Sequence, residues 1–284
     1  MSVVNLDELI CINGQFLPVE QHPLSVHNRS FKYGDGLFET MHYQKGQILF
    51  VDAHFERLVA GMFVLGFETS FFDIEAVYQD CLKLVQNKNF SSARIRLHVF
   101  RNDGGNYKPA TDQCSYVIQA EKLEENSFFL NEKGYHIGLF SDIRKPINSL
   151  SGIKSANGLL YVLAARHADI QHWNDALILN EQGRICECSS SNIFLILPDK
   201  SILTPALTEG CLAGVMRKNV IELLQNSGRK VVEGAVLTED FYRAEEVFLT
   251  NVIHGIRWCI AFREKRFYST QTREILQQLQ QYFG

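Results

Sequence analysis

Lys154 stands alone in the run SGIKSANGLLYVLAARHADI (151–170), just ahead of a helical pattern in which Leu159, Leu160, Leu163, Ala164 and His167 share one face. A lysine at a helix start gains nothing from the macrodipole, whose N-terminal end is positive. A single lysine is ordinarily a solvated surface charge. The chemical alternative is a Schiff-base lysine, whose amine is made available by desolvation and nearby positive charge, part of it from the helix N-terminus. A second candidate lies in RICECSSSNIFLIL, where alternation puts Glu187 on the face of Ile185, so that a carboxylate points into apolar company before three serines and an asparagine. Such a group needs a cationic or protonated partner, and a protonated pyridine nitrogen would serve. The plainer reading is a turn acid bracketed by Gly183 and Ser189.

Two kinds of anion site accompany these residues. In LTEGCLAGVMRKNVIEL, glycines and small residues precede an amphipathic helix, and the backbone N–H groups of Val215 and Met216 are placed to take a phosphate; plain packing explains such glycines equally well. In HFERLVAGMFVL, Arg57 lies away from the main apolar stripe, with Ala53, Ala60 and Val64, on a second face that also meets something. In RIRLHVFRNDGGNY, Arg101 falls on the face of Ile95, Leu97 and Val99, and an inward guanidinium followed by a flexible loop reads as a trap for a substrate carboxylate.

The elements that must position these groups are short hairpins and helices. LICINGQFLP and ETMHYQKGQILF read as strand pairs, Asp52 as the cap of a helix burying Phe55, Leu58, Val59, Met62 and Leu65, and 73–87 as a second helix. SARIRLHVF returns to strand. The acidic stretch AEKLEENSFFLNE gives an interdomain linker over 120–132, between an N-terminal α+β domain (1–119) and a C-terminal α+β, barrel-like domain (133–284) expected to carry Lys154. Beyond it HIGLF, ALILNEQGRICEC, IFLIL and VFLTN read as strands, with a helix over 214–225, so the fold class is α+β.

A chain of 284 residues with 46% apolar residues fits one large domain or two moderate ones. The formal charge of -4, without a concentrated basic run, argues against nucleic acid as partner. The start MSVVNLDELICINGQFLP lacks a secretory pattern and no window is long and apolar enough for a membrane span, so the expected location is cytoplasmic. The seven cysteines make no CxxC pair, and the isolated Cys186-x-Cys188 does not make a zinc site, so reduced thiols and no metal are expected.

Taken in order, YGDGLFET (33–40), HFERL (54–58), IKSANGLLYVLAARHA (153–168), ECSSSNIFL (187–195), LAGVMR (212–217) and EVFLTN (246–251) resemble the class IV family of pyridoxal-phosphate enzymes, over a match from Gly14 to Tyr268. The family includes branched-chain and D-amino acid aminotransferases and 4-amino-4-deoxychorismate lyase. The resemblance implies the two-domain fold type IV, like that of D-amino acid aminotransferase, as a homodimer with pyridoxal 5'-phosphate (PLP) in the cleft between domains. It implies that Lys154 holds the cofactor and acts as general base, that Glu187 pairs with the pyridinium nitrogen, that Arg57 binds the phosphate and that the amides of Val215 and Met216 complete that site.

The sequence departs from two subfamilies. Branched-chain enzymes place a tyrosine where Gly158 stands, and D-amino acid enzymes place one at Phe38 to help hold the substrate carboxylate. By contrast, GCLAGVMR and LTNVIHGIRW look more like the lyases. The expected activity is therefore release of pyruvate and 4-aminobenzoate from aminodeoxychorismate, a folate-pathway step. The alternative is transamination of a branched-chain or D-amino acid, and, outside enzymes, a non-catalytic binding protein on the same fold. Either reaction takes a small amino substrate bearing a carboxylate, with Arg101 and Phe38 as the substrate-binding candidates.

Overall fold

The alternating run SARIRLHVFR is the centre of a six-stranded antiparallel sheet in the computed structural model, which describes residues 8–21, 25–124 and 128–283. The chain divides into two units, Met1–Asn126 with Ile153–Asn157, and Ser127–Gly152 with Gly158–Gly284. In the first unit the elements are β1 Leu9–Ile12, β2 Gln15–Pro18, α1 Arg29–Tyr33, β3 Gly36–Gln44, β4 Gln47–Ile48, α2 Val51–Val64, α3 Ile74–Asn87, β5 Ser92–Arg101 and β6 Cys114–Lys122. The sheet order is β2-β1-β6-β5-β3-β4.

Alternation gives this sheet two different faces. Leu37, Met41, Ile95, Leu97 and Val99 share one core with Phe55, Leu58 and Met62 of α2 and Val77, Cys81 and Leu84 of α3. Each such side chain contributes about 1.5–3 kcal/mol on burial. The residues between them, Phe38, Thr40, Arg96 and His98, point the other way and stay half-buried. Asp73 caps α3 by accepting from the Ala76 amide at 3.1 Å, where its sequence predicts a helix start. Asp52 instead sits in the first turn of α2, whose cap is Phe50 in a left-handed conformation.

The motif YGDG has a physical reading here. Gly34 ends α1 at φ 68°, and a Cβ on it would stand 2.3 Å from Oδ1 of Asn157. Asp35 next to it takes the Nε of both Arg29 (2.8 Å) and Arg101 (3.0 Å).

In the second unit the elements are β7 Tyr135–Lys145, α4 Leu159–Ile170, β8 Asp175–Asn180, β9 Ile185–Cys188, β10 Asn192–Ile196, β11 Ile202–Pro205, α5 Val215–Asn226, β12 Val231–Gly234, α6 Thr238–Arg243, β13 Glu246–Asn251, β14 Gly255–Phe262, β15 Lys265–Arg266 and α7 Thr270–Phe283. The sheet order is β12-β11-β10-β13-β14-β7-β8-β9, with β15 on β14. The pairs β11–β12, β14–β7 and β7–β8 are parallel and the others antiparallel. An antiparallel bridge joins Ile185 of β9 to Val236, two residues past β12, and ties the two ends of the strand order together. No helix among the described residues is long and apolar enough to cross a membrane.

Four expectations change. The strand β6 runs to Lys122, and the division between units falls after Asn126, so residues 120–122 belong to the sheet and not to a linker. Lys154 belongs to the first unit, because Ser155 bridges Leu37 on the free side of β3. The helix after it starts only at Leu159, so Lys154 lies in non-helical chain five residues ahead of it and not at the helix entrance. Leu159 itself is 69% exposed; α4 buries Ala164 and Ala168, with Leu160, Tyr161 and Leu163 packed beside them.

Candidate active site

The antiparallel bridge Leu37↔Ser155 sets Lys154 opposite Phe38, and the Phe38 amide donates to the Lys154 carbonyl at 2.9 Å. Residues directly opposite in an antiparallel pair share a face. The consequence is a cation cluster on one ring: Lys154 Nζ lies 4.4 Å and the Arg96 guanidinium carbon 3.9 Å from the Phe38 centroid. Register adds His98, which pairs with Phe38 across β3 and β5, while Arg96 pairs with Thr40. Burial, and next the charge of Arg94, lower the Arg96 pKa. Burial, and next the charge of Arg96, push the His98 imidazole down to about 4, and its Nε2 shares a 2.9 Å hydrogen bond with Ser30 Oγ.

On the core side of β3, Glu39 is a buried carboxylate among Leu37 and Met41. His54 and Arg57, one turn apart on α2, both reach it: His54 Nδ1 stands 2.6 Å from Oε2, and Arg57 donates from Nε to Oε1 at 2.8 Å and from Nη2 to Oε2. Burial raises the Glu39 pKa, but the Arg57 charge and the hydrogen bonds from His54 and Arg57 outweigh it and hold the carboxyl at about 2. Burial lowers the His54 pKa. Arg57 is thus a guanidinium fixed edge-on by an acid, with its Nη1 side turned away from Glu39.

Arg101 is placed differently from its expected role. Its Nε goes to Asp35, Nη1 to Asp112 at 2.5 Å and to the Gly66 carbonyl at 3.2 Å, and Nη2 to the Leu65 carbonyl at 2.6 Å. The residue is 4% exposed and its guanidinium lies 4.4 Å over the Phe67 ring. The inward direction read from the alternation holds, but it ends in an ion-pair hub with protein acceptors.

In the second unit Glu187 is also buried, on β9, and three donors converge on it. Oε1 accepts from Lys145 Nζ at 2.5 Å and from Tyr161 Oη at 2.9 Å, and Oε2 accepts from the Leu212 amide at 2.9 Å. The serines that follow shape this turn: Ser189 and Ser190 donate to the buried Asp175, at 2.5 and 3.1 Å from their hydroxyls, and Asn251 donates to Ser191 Oγ at 3.2 Å. From Leu212 the chain enters α5 within three residues. A Cβ on Gly214 would stand 1.9 Å from Asn192 Oδ1, so glycine is required where the helix begins. No side chain caps α5, and the amides of Val215 and Met216 lie in its first turn, where N–H groups have no intrahelical acceptor.

These residues fit a pyridoxal cofactor in the second unit on one count that the geometry supplies. A carboxylate has about four acceptor sites. Among the described residues three on Glu187 are taken by protein donors, and the remaining one, on Oε2, matches a single ring N–H. The sequence did not single out Lys145, Tyr161, Glu39, His54, Arg96 or His98. Two signals existed: an acid at an inward position of β3, and a His and an Arg spaced three apart on one helix. Lys145, at the end of the polar run SDIRK, carried none.

Comparison with known proteins gives the family and the fold. The sequence model of the family Amino-transferase class IV matches residues 36–260. The chain is 32% identical over 248 residues to an aminodeoxychorismate lyase of Vibrio harveyi, covering 86% of this chain and 88% of that one. It is 26% identical over 284 residues to a putative branched-chain-amino-acid aminotransferase of Methanocaldococcus jannaschii, with coverage of 96% and 94%. In fold it matches the branched-chain amino acid aminotransferase of Escherichia coli at a TM-score of 0.88 and 23% identity, over 97% of this chain and 94% of that one. The chain belongs to the class IV aminotransferase family and is a PLP-dependent enzyme of the α+β fold type IV.

Proposed function

We propose that the protein is a 4-amino-4-deoxychorismate lyase, releasing pyruvate and 4-aminobenzoate. The observation that carries this reading is the pair of cations on Phe38: Lys154 for the amine-bearing carbon and Arg96, 3.9 Å from the same ring, for a carboxylate. The half-buried face around them bears Arg96, His98 and Thr40, with the exposed Arg94 beside it, where a pocket for a branched aliphatic side chain would be apolar. A substrate with two carboxylates suits that face, and the 32% identical relative is named a lyase.

When bound, the cofactor supplies an aldehyde carbon that takes up amines and a protonated ring that withdraws electrons. In our reading Lys154 Nζ holds that carbon and moves the proton at the amine-bearing carbon of the substrate. Glu187 accepts the ring N–H at its fourth site, while Lys145, Tyr161 and the Leu212 amide keep the carboxylate from turning. Arg57, set by Glu39 and His54, and the amides of Val215 and Met216 hold the phosphate. Arg96 takes over the carboxylate role expected of Arg101, beside Phe38, and Arg101 holds the strand end. Loss of the proton and of the enolpyruvyl oxygen from the ring yields the aromatic amine and pyruvate.

The experiment is a direct comparison on the purified holoenzyme. Formation of 4-aminobenzoate and pyruvate in equal amounts from aminodeoxychorismate supports the lyase. Keto acid formation from a branched-chain or D-amino acid with 2-oxoglutarate, at a higher kcat/KM and without 4-aminobenzoate, replaces it with the transaminase. A protein that binds no PLP and catalyses neither reaction overturns both.

A further inference from the structure

Lys145 is unusual in being a buried ammonium, 6% exposed, at the end of a strand. Its Nζ is 2.5 Å from Glu187 Oε1 and donates to the Ser151 carbonyl at 2.9 Å. It lies 5.5 Å over the Tyr161 ring, whose hydroxyl donates to the same Oε1. Among the described residues the other titratable groups beside Glu187 supply no countercharge: burial, with the Glu187 charge adding to it, pushes the Tyr161 phenol and the Cys186 thiol up, and burial raises the Cys211 thiol to about 11. Lys145 is therefore the cation that makes a buried, 3% exposed carboxylate tolerable without cofactor.

We propose that Lys145 is a positioning residue that serves as the stand-in countercharge of Glu187, neutralising it in the cofactor-free protein and sharing it with the protonated ring nitrogen once PLP is bound. This rests on the reading that Glu187 takes the ring N–H. Two consequences follow from charge balance. Without PLP, removal of the ammonium leaves an unpaired buried carboxylate, which is strongly destabilising. With PLP, the ring nitrogen becomes the countercharge, so cofactor binding must restore more stability in the variant than in the wild type.

The test measures thermal unfolding of full-length protein with and without saturating PLP for wild type, Lys145→Met, Lys145→Arg, Glu187→Gln and the double variant. Lys145→Met without PLP should unfold on the order of 6 °C lower than wild type, and its PLP-induced rise should exceed the wild-type rise by a comparable amount. Lys145→Arg should match wild type. The 1-deaza analogue of PLP, which has no ring N–H, should give Lys145→Met no extra rise, an outcome that a purely structural ion pair does not produce. In the double variant the extra rise should vanish. An equal or smaller PLP-induced rise in Lys145→Met, or failure to fold even when refolded with PLP, overturns the proposal. If ring-15N-labelled PLP gives the same resonance in Glu187→Gln as in wild type, the Glu187 reading itself fails; if that resonance moves while Lys145→Met behaves as wild type, only the Lys145 inference falls.

Discussion

Replacing Glu39 by glutamine keeps its shape and removes the charge that fixes Arg57. Glu39 is 1% exposed, so its ion pair is screened little by solvent. A carboxyl held at about 2 instead of 4.5 favours the folded state by about 3 kcal/mol at neutral pH, and breaking a buried pair costs about 3–5 kcal/mol, so the two routes agree. The sign of the pH dependence follows from the lowered value: the stabilisation is complete above pH 4.5 and is lost as pH falls through about 2. Urea unfolding of the cofactor-free protein should therefore show Glu39→Gln about 3 kcal/mol less stable than wild type at pH 7, with the deficit smaller by about 1.4 kcal/mol at pH 3.5. The same variant should bind PLP more weakly, by less than the about 10- to 150-fold expected for Arg57→Ala, because the guanidinium remains but its angle is free. A deficit under about 1 kcal/mol, or one that is as large at pH 3.5 as at pH 7, would refute the idea that Glu39 is the ionised anchor of Arg57.

The remaining predictions test single assignments. Lys154→Ala should abolish turnover, and borohydride reduction of the wild-type holoenzyme followed by digestion and mass spectrometry should find the pyridoxyl group on Lys154; a different modified lysine removes that assignment. Arg96→Met should raise KM for carboxylate substrates by about 10- to 150-fold with stability and PLP affinity kept, whereas Arg101→Met, which leaves Asp35 to Arg29 alone and takes the donor from the Leu65 and Gly66 carbonyls, should lose about 1–3 kcal/mol of stability; the reverse pattern in a paired thermal and kinetic assay restores Arg101 as the carboxylate site. Because His98 is held at about 4, against 6.5 for the ordinary imidazole, the folded state resists its protonation, and stability should fall by up to about 3 kcal/mol as pH drops from 6.5 to 4; His98→Asn should flatten that part of the profile.

What the sequence carried was local. Strict alternation placed β5 and the inward direction of Arg101, the Asp73 cap placed α3, and a glycine before an apolar helix placed α5. Of the motif residues, Glu187 and Arg57 sit in polar clusters with specific partners, while Lys154 lies over the Phe38 ring. What periodicity could not reach were partners far apart in sequence. Glu39 finds Arg57 across 18 positions and Glu187 finds Lys145 across 42, distances over which no period applies. Lys154 was misplaced for the same reason: the apolar run after it is real, but Asn157 and Gly158 keep it out of the helix, and its neighbours come from β3. For Arg101, alternation gives direction and says nothing about the protein acceptors that meet it there.

The bridge between Leu37 and Ser155 also orders events in time. The strand that receives Lys154 is complete early in synthesis, while the lysine emerges roughly 120 residues later, about 6–24 s at ordinary translation rates. Contacts of such long sequence separation close last, because the loop they span must first be compacted. The first unit can thus gather its core from α2, α3 and the sheet while the edge of β3 still waits for its partner. A newly made chain would pass through a stage in which the first unit has gathered its core but Lys154, the lysine proposed to hold the cofactor, has not yet joined it.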